Sequence, residues 1–315
     1  MPIDYQRGTT SCLGECLGGF ALVASSISLT DAHKLSFAGM VGANSFLEQV
    51  LVHDLSLGLQ TDTPLWIAEC NSVVLETRKP QLAQEGLSVC LGFPVFYGQS
   101  LQSIVNWVGS SADSAIGVVE LWESRGPYRD LQLIAGHYGC LERFQNVSSF
   151  VRFEPGYGLP GQAAESGVAI VHDDLPNHPG FLRAAGASAG ELQTAIGLPI
   201  FDPNFVAVTV LISSRTTPMA RWIEVWVPQK QGFVMQQMAI CGMLDEQHNL
   251  PAQEAEVSRV GLLGEVAAGH RAMVTCDTHQ LCRERRELGF SVAESCLAVP
   301  TYRGEDLKSI TLFWL

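Results

Sequence analysis

The side chains whose types and spacing bear on chemistry lie mostly between His137 and Arg183. The run Glu154-Pro155-Gly156-Tyr157-Gly158-Leu159-Pro160-Gly161 is a glycine-rich loop opening into a short helix over 162–166. Free backbone N–H groups at such a helix start can hold an anion. Arg152 and Arg183 flank the loop in sequence and would complete an anion site around Tyr157, Gly158 and Gly161. The plainer reading is that the glycines supply the backbone angles of the turn, with no ligand and two solvated arginines. His137 and Cys140 close one strand, and His172 follows another, just before Asp173-Asp174. A lone histidine is more often a satisfied polar residue than an iron or metal ligand. Cys276-x2-His279-x2-Cys282 has soft ligands at metal-like spacing, yet zinc needs a fourth ligand and nothing nearby fixes Cys241 or Cys296 as one. No nucleophile elbow, phosphate-binding P-loop or carboxylate pair stands out, so no catalytic residue is assigned.

The elements that would position these residues recur along the chain. Gly58, Gly158 and Gly261 align, as do Pro94, Pro199 and Pro300, at a period of roughly one hundred residues. Two β-like runs precede each glycine; a turn and a last strand follow each proline. The pattern divides the chain into units over 17–110, 112–216 and 218–315, with 109–114 as the first short linker. In unit one, strands are expected over 20–28, 34–41, 65–67, 87–96 and 101–108, with helices near 45–50 and 76–84. In unit two they are expected over 116–122, 131–137, 168–171 and the pair closing at 212. In unit three they are expected over 222–228, 233–243, 294–302 and 307–315, with a helix over 281–288. The fold class is α+β: antiparallel sheets, each with short helices on one face.

Ile116, Val118, Val119 and Leu121 make both faces of one strand apolar, and Val206 to Ile212 do the same for another. A sheet covered on one side alternates apolar and polar residues. The second faces must therefore be covered too, by one another or by another chain. Cys90, Ala195 and Cys296 each lie four residues before an aligned proline. A position that takes Cys, Ala and Cys is filled as a small buried group.

The chain has 315 residues, 47% hydrophobic and 16% charged, with a net charge of −13. No basic patch marks it for nucleic acid or an anionic membrane, and no apolar run has the roughly 18 residues of a membrane span. Nine irregularly spaced cysteines read as reduced thiols in a cytoplasm.

On these residues the units resemble GAF domains. Phe153 to Gly161, Glu165-Ser166-Gly167 and Ile196-Gly197-Leu198-Pro199-Ile200 carry the resemblance in unit two. Gly261-Leu262-Leu263-Gly264-Glu265-Val266 and Leu288-Gly289-Phe290 carry it in unit three. Unit one diverges, with Gln60-Thr61 where the second loop glycine would fall. The resemblance implies a profilin-like or PAS-like six-stranded antiparallel sheet with a pocket between sheet and helices. His137, Cys140, Arg152, Tyr157, Gly158, Gly161, His172 and Arg183 would surround that pocket in unit two. Bilin-binding members offer a Cys-His pair before the penultimate strand, where this chain has Arg183-Ala184-Ala185 and Arg283-Glu284-Arg285. Covalent bilin is therefore not expected, nor is haem or metal, and the cofactor is left open.

The reading that follows is a non-catalytic, cytoplasmic sensory or signalling protein that binds a small metabolite or a protein partner, as a possible homo-oligomer. In a second reading the pockets are filled by side chains and the chain is an interaction module. In a third, by resemblance to GAF domains that reduce methionine sulfoxide, Cys276 attacks and Cys282 resolves.

Overall fold

The structure, a computed structural model, describes residues 24–31, 34–41, 68–69, 87–110, 116–126, 128–241, 250–275 and 282–315. The helices expected near 45–50 and 76–84, Gly58, Cys276 and His279 lie outside the described residues.

Three antiparallel sheets follow one another along the chain. Sheet one holds β1 (Ala24–Asp31), β2 (Lys34–Val41), β3 (Ala68–Glu69), β4 (Leu87–Tyr97) and β5 (Ser100–Ser110), in the order β2-β1-β5-β4-β3. Sheet two holds β6 (Gly117–Arg125), β7 (Asp130–His137), β8 (Arg152–Phe153), β9 (Ile170–His172), β10 (Leu192–Asp202) and β11 (Asn204–Ser214), in the order β8-β7-β6-β11-β10-β9. Its helices are α1 (Glu142–Phe150), α2 (Gly158–Ser166) and α3 (Ala184–Ala189). Sheet three holds β12 (Trp222–Pro228), β13 (Gly232–Ile240), β14 (Glu256–Ser258), β15 (Met273–Thr275), β16 (Cys296–Arg303) and β17 (Asp306–Trp314). Its order is β14-β13-β12-β17-β16-β15, the order of sheet two, and its helices are α4 (Leu262–Gly269) and α5 (Arg283–Glu287). The six-stranded antiparallel sheet implied by the resemblance is thus present twice.

The aligned prolines hold one register. Pro94 lies opposite Ile104, Pro199 opposite Val208 and Pro300 opposite Ile310, and a register shift follows within two residues in each strand. Such a bulge bends a strand and sharpens its twist. The aligned glycines are equally structural. Gly158 and Gly261 both have positive φ, at 62° and 76°. A Cβ on Gly161 would meet the carbonyl oxygen of Glu154, and one on Gly264 that of Arg259, inside contact distance. Each helix start lies directly on the loop before it, and only glycine allows that approach.

The two faces of each strand have different partners. Val118, Trp122, Val210 and Ile212 turn toward the helices of sheet two, in a cluster with Phe144, Leu159 and Phe181. Trp222, Trp226, Leu312 and Trp314 do the same in sheet three, with Leu262 and Val266. The other faces meet in one common core: Phe93, Val95 and Val105 from sheet one, Leu121, Ile196 and Leu198 from sheet two, Val225, Leu297 and Val299 from sheet three. The second faces are therefore buried against one another. The penultimate strands β4, β10 and β16 touch pairwise at the centre of this core.

The same contact recurs between sheets. Ser309 Oγ on β17 accepts the amide of Ala169, just before edge strand β9, at 3.3 Å. Ser103 Oγ on β5 accepts the amide of Ala272, just before edge strand β15, at 3.1 Å. Ser103 and Ser309 each precede the residue paired to an aligned proline, so they are equivalent. Sheet one clasps sheet three as sheet three clasps sheet two. Gln237 Oε1 adds a bond from the Val171 amide at 2.8 Å.

Candidate functional site

On the helix face of sheet two, Glu120 projects from the middle of β6 into the apolar cluster and is fully buried. An isolated carboxylate would be unstable there; a buried charge needs a partner and hydrogen bonds to all its oxygens. Both are supplied. Arg183, the residue that caps α3 and is only 2% exposed, grips it with both terminal nitrogens. Nη2 donates to Oε2 at 2.9 Å and Nη1 donates to Oε1 and, at 2.6 Å, to Ser148 Oγ of α1. Trp122 Nε1 donates to Oε2 and the Tyr138 hydroxyl to Oε1, each at 2.9 Å. Burial, and then the Glu120 charge beside it, push the Tyr138 phenol far above its usual range, so it stays the donor. The guanidinium lies among four rings, with Cζ 4.7 Å from the centroid of Phe144, 5.3 Å from Phe181, 5.5 Å from Trp122 and 5.9 Å from Phe153. Such faces attract a cation.

Sheet three repeats the arrangement. Glu224 of β12, fully buried, lies opposite Leu312 as Glu120 lies opposite Val210. Trp222 Nε1 and Trp226 Nε1 each donate to it at 2.8 Å, and Arg285 of α5 grips both oxygens. Arg285 Nε donates to Ser291 O at 2.8 Å, and Cζ stands 4.7 Å from Trp314 and 5.8 Å from Phe290. In sheet one the same register position, opposite Asn106, holds Ser26.

The expected site residues are distributed differently. Arg183 is buried in the pair just described, with both terminal nitrogens taken by the Glu120 carboxylate. Arg152 is exposed and, among the described residues, bonds local carbonyls, those of Ser149 and Val151. Tyr157 is exposed beside the loop. The loop closes on itself: the Gly156 amide donates to Gly161 O and the Tyr157 amide to Glu154 O. The turn reading of Gly158 and Gly161 is thus the one their surroundings explain. Cys140 is exposed in a turn. His137 lies opposite Val119 of the common core, whereas His172 lies opposite Ala195 of the helix-side cluster. The two imidazoles are on opposite faces, four strands or about 19 Å apart across the sheet, and line no pocket together.

His172 is buried, donates from Nε2 to Gln162 Oε1 at 3.0 Å and stacks on His178 at 3.8 Å between centroids. Burial and the neighbouring His178 lower its pKa to about 3, so it is neutral. Cys282 and Cys296 are buried in the sheet-three cluster, and burial holds the Cys296 thiol well above its usual range. Among the described residues, no group of three or more ligating side chains could hold a metal ion. No helix among them is long and apolar enough to cross a membrane.

Glu120 and Glu224 were not singled out from the sequence. A signal exists: Glu120-Leu121-Trp122 and Glu224-Val225-Trp226 each place a carboxylate two residues before a tryptophan inside an apolar strand.

No family model and no curated protein sequence matches the chain. Among solved structures it is similar to the GAF domain of A. aeolicus nlh2 in an inactive state (18% identity over 30% of this chain and 56% of that one, TM-score 0.24). It is similar also to the free methionine-R-sulfoxide reductase of Neisseria meningitidis in complex with its substrate (21%, 31% and 51%, 0.24). A third is a nitrate-site mutant of the Staphylococcus aureus NreA protein (15%, 33% and 75%, 0.27). The chain spans just over half the length of the first two.

Proposed function

We propose that this chain is a non-catalytic interaction module of tandem GAF-like units, working through a protein partner. The observation that carries the reading is the double closure of the helix-side site. Glu120–Arg183 and Glu224–Arg285 stand between sheet and helices, where the resemblance would place a small molecule. Every oxygen of both carboxylates is engaged by donors of the chain itself. The chemistry of the surroundings agrees: the buried Cys241 and Cys296 thiols are held protonated and the deeply buried His172 is held neutral.

A native mass spectrum and a UV–visible spectrum of protein purified without added cofactor test the reading. Bare chain mass and a colourless solution are expected. Extra mass that leaves on denaturation, or a visible band, would return the protein to the ligand-binding sensors.

A further inference from the structure

We propose that the helix-side site of sheet two is a guanidinium receptor whose tethered occupant is Arg183, so that the site freed of that side chain binds free guanidinium-class cations. The proposal rests on the filled-site reading above and gives it a ligand chemistry.

Three features make this a receptor for one kind of cation. First, the carboxylate is fixed without the arginine. Trp122 Nε1 and the Tyr138 hydroxyl hold one oxygen each, leaving the remaining lone pairs side by side for a planar fork. A guanidinium matches that spacing with two parallel N–H bonds, and an ammonium with one. Second, recognition is confined to the far end of the side chain. Both Nη atoms are bonded, whereas Arg183 Nε is buried and finds no acceptor among the described residues. The stem is not read, so a small guanidinium compound presents nearly all that the site recognises. Third, the four rings form walls over a flat, delocalised cation.

Sheet three reaches the same chemistry by other means. The second donor to its carboxylate is Trp222, two residues before Glu224 on the strand, in place of Tyr138 at the end of β7. Its arginine comes from within α5 in place of a cap position, and its Nε is bonded. Only the pinned carboxylate, the forked cation and the aromatic walls are common to both. The cation is what the two sites are built around.

The test is thermal unfolding of Arg183→Ala titrated with methylguanidinium chloride, and with methylammonium chloride at equal ionic strength. A saturable rise in Tm of several degrees with methylguanidinium is expected, with a much smaller one for methylammonium. Neither salt should raise the Tm of the wild-type protein or of the double variant Arg183→Ala/Glu120→Gln. No rise, an equal rise with methylammonium, or the same rise in the double variant overturns the proposal. If Arg183→Ala is recovered only as aggregate, refolding yield reads the same comparison: methylguanidinium must raise it above the methylammonium control, and equal yields overturn the proposal. The two readings fail separately. A ligand found in the wild-type native mass would end the filled-site reading while leaving the cation preference of the variant measurable. A variant without that preference would end the receptor while the wild-type mass stays bare.

Discussion

Ser309 of sheet three receives the backbone amide of Ala169, the residue that leads into the edge strand of sheet two. The bond links residues 140 positions apart in sequence and satisfies an amide that burial would otherwise leave unpaired. Ser309→Ala should cost about 1–3 kcal/mol, the penalty of a stranded buried donor. Hydrogen exchange should locate the loss: the Ala169 amide and its neighbours in β9 lose protection while the centre of β11 keeps it. Ser103→Ala should act in the same way on Ala272 and β15.

Breaking the buried pair should cost more. Arg183→Met leaves the buried Glu120 carboxyl without its cation in an apolar cluster, and loss of one partner of such a pair costs about 3–5 kcal/mol. Glu120→Leu together with Arg183→Met removes both charges and should recover most of that loss. Urea unfolding of the single and double variants measures the coupling; guanidinium chloride is unsuitable, since its cation is the one the site recognises. Equal losses in single and double variants would show that the pair acts through packing alone.

Arg285→Met should destabilise about as much as Arg183→Met in the same urea series, to within about 1 kcal/mol, the worth of one hydrogen bond. Each guanidinium makes one bond besides those to its carboxylate, Arg285 Nε to Ser291 O and Arg183 Nη1 to Ser148 Oγ. A gap of several kcal/mol would show that the two sites differ in more than their bonds.

Gly158→Val should unfold sheet two's helix layer. Its φ of 62° is unfavourable for a β-branched residue, and an added Cβ would strike the Phe153 ring that walls the Arg183 site. Gly161→Ala meets the backbone oxygen of Glu154 and has no side chain to push aside. Near-ultraviolet circular dichroism should report loss of the Trp122–Phe153 contact in both variants.

His172 makes stability depend on acidity. Its folded pKa of about 3 lies below the ordinary value of about 6.5, so the unfolded chain binds the proton more readily between these limits. The contribution is complete above about pH 6.5 and is lost as pH falls toward 3, by at most about 1.4 kcal/mol per pH unit. His172→Gln should flatten the pH dependence of Tm between 6.5 and 5 relative to the wild-type protein. An unchanged slope would mean that other groups set it.

The parts of this fold that were legible in the sequence are those written as spacing. The expected ranges 34–41 and 222–228 are the observed β2 and β12, and the aligned prolines keep one register in all three sheets. Two-sided apolar strands announced the shared core. The α1 helix was missed because its stripe is thin: only Phe144 and Ser148 are buried, and one of them is polar. The site was half legible. Arg183 stood out, but its sequence neighbours suggested an anion, and its partner is a strand carboxylate 63 positions away. His137 and His172 looked like companions because each is near a strand end. Strand parity, which only the register fixes, sends them to opposite faces.

The meeting of β4, β10 and β16 at one centre makes the three sheets depend on one another for cover. Among the described residues, the apolar backs of all three contribute to one core, each packed against residues of the other two. Loops on the outer, helix-bearing side are free to lengthen or diverge without touching this arrangement. Excising any one sheet would instead bare apolar surface on both of the others, and such fragments are expected to associate or precipitate. The three sheets are thus separate in sequence and inseparable in water.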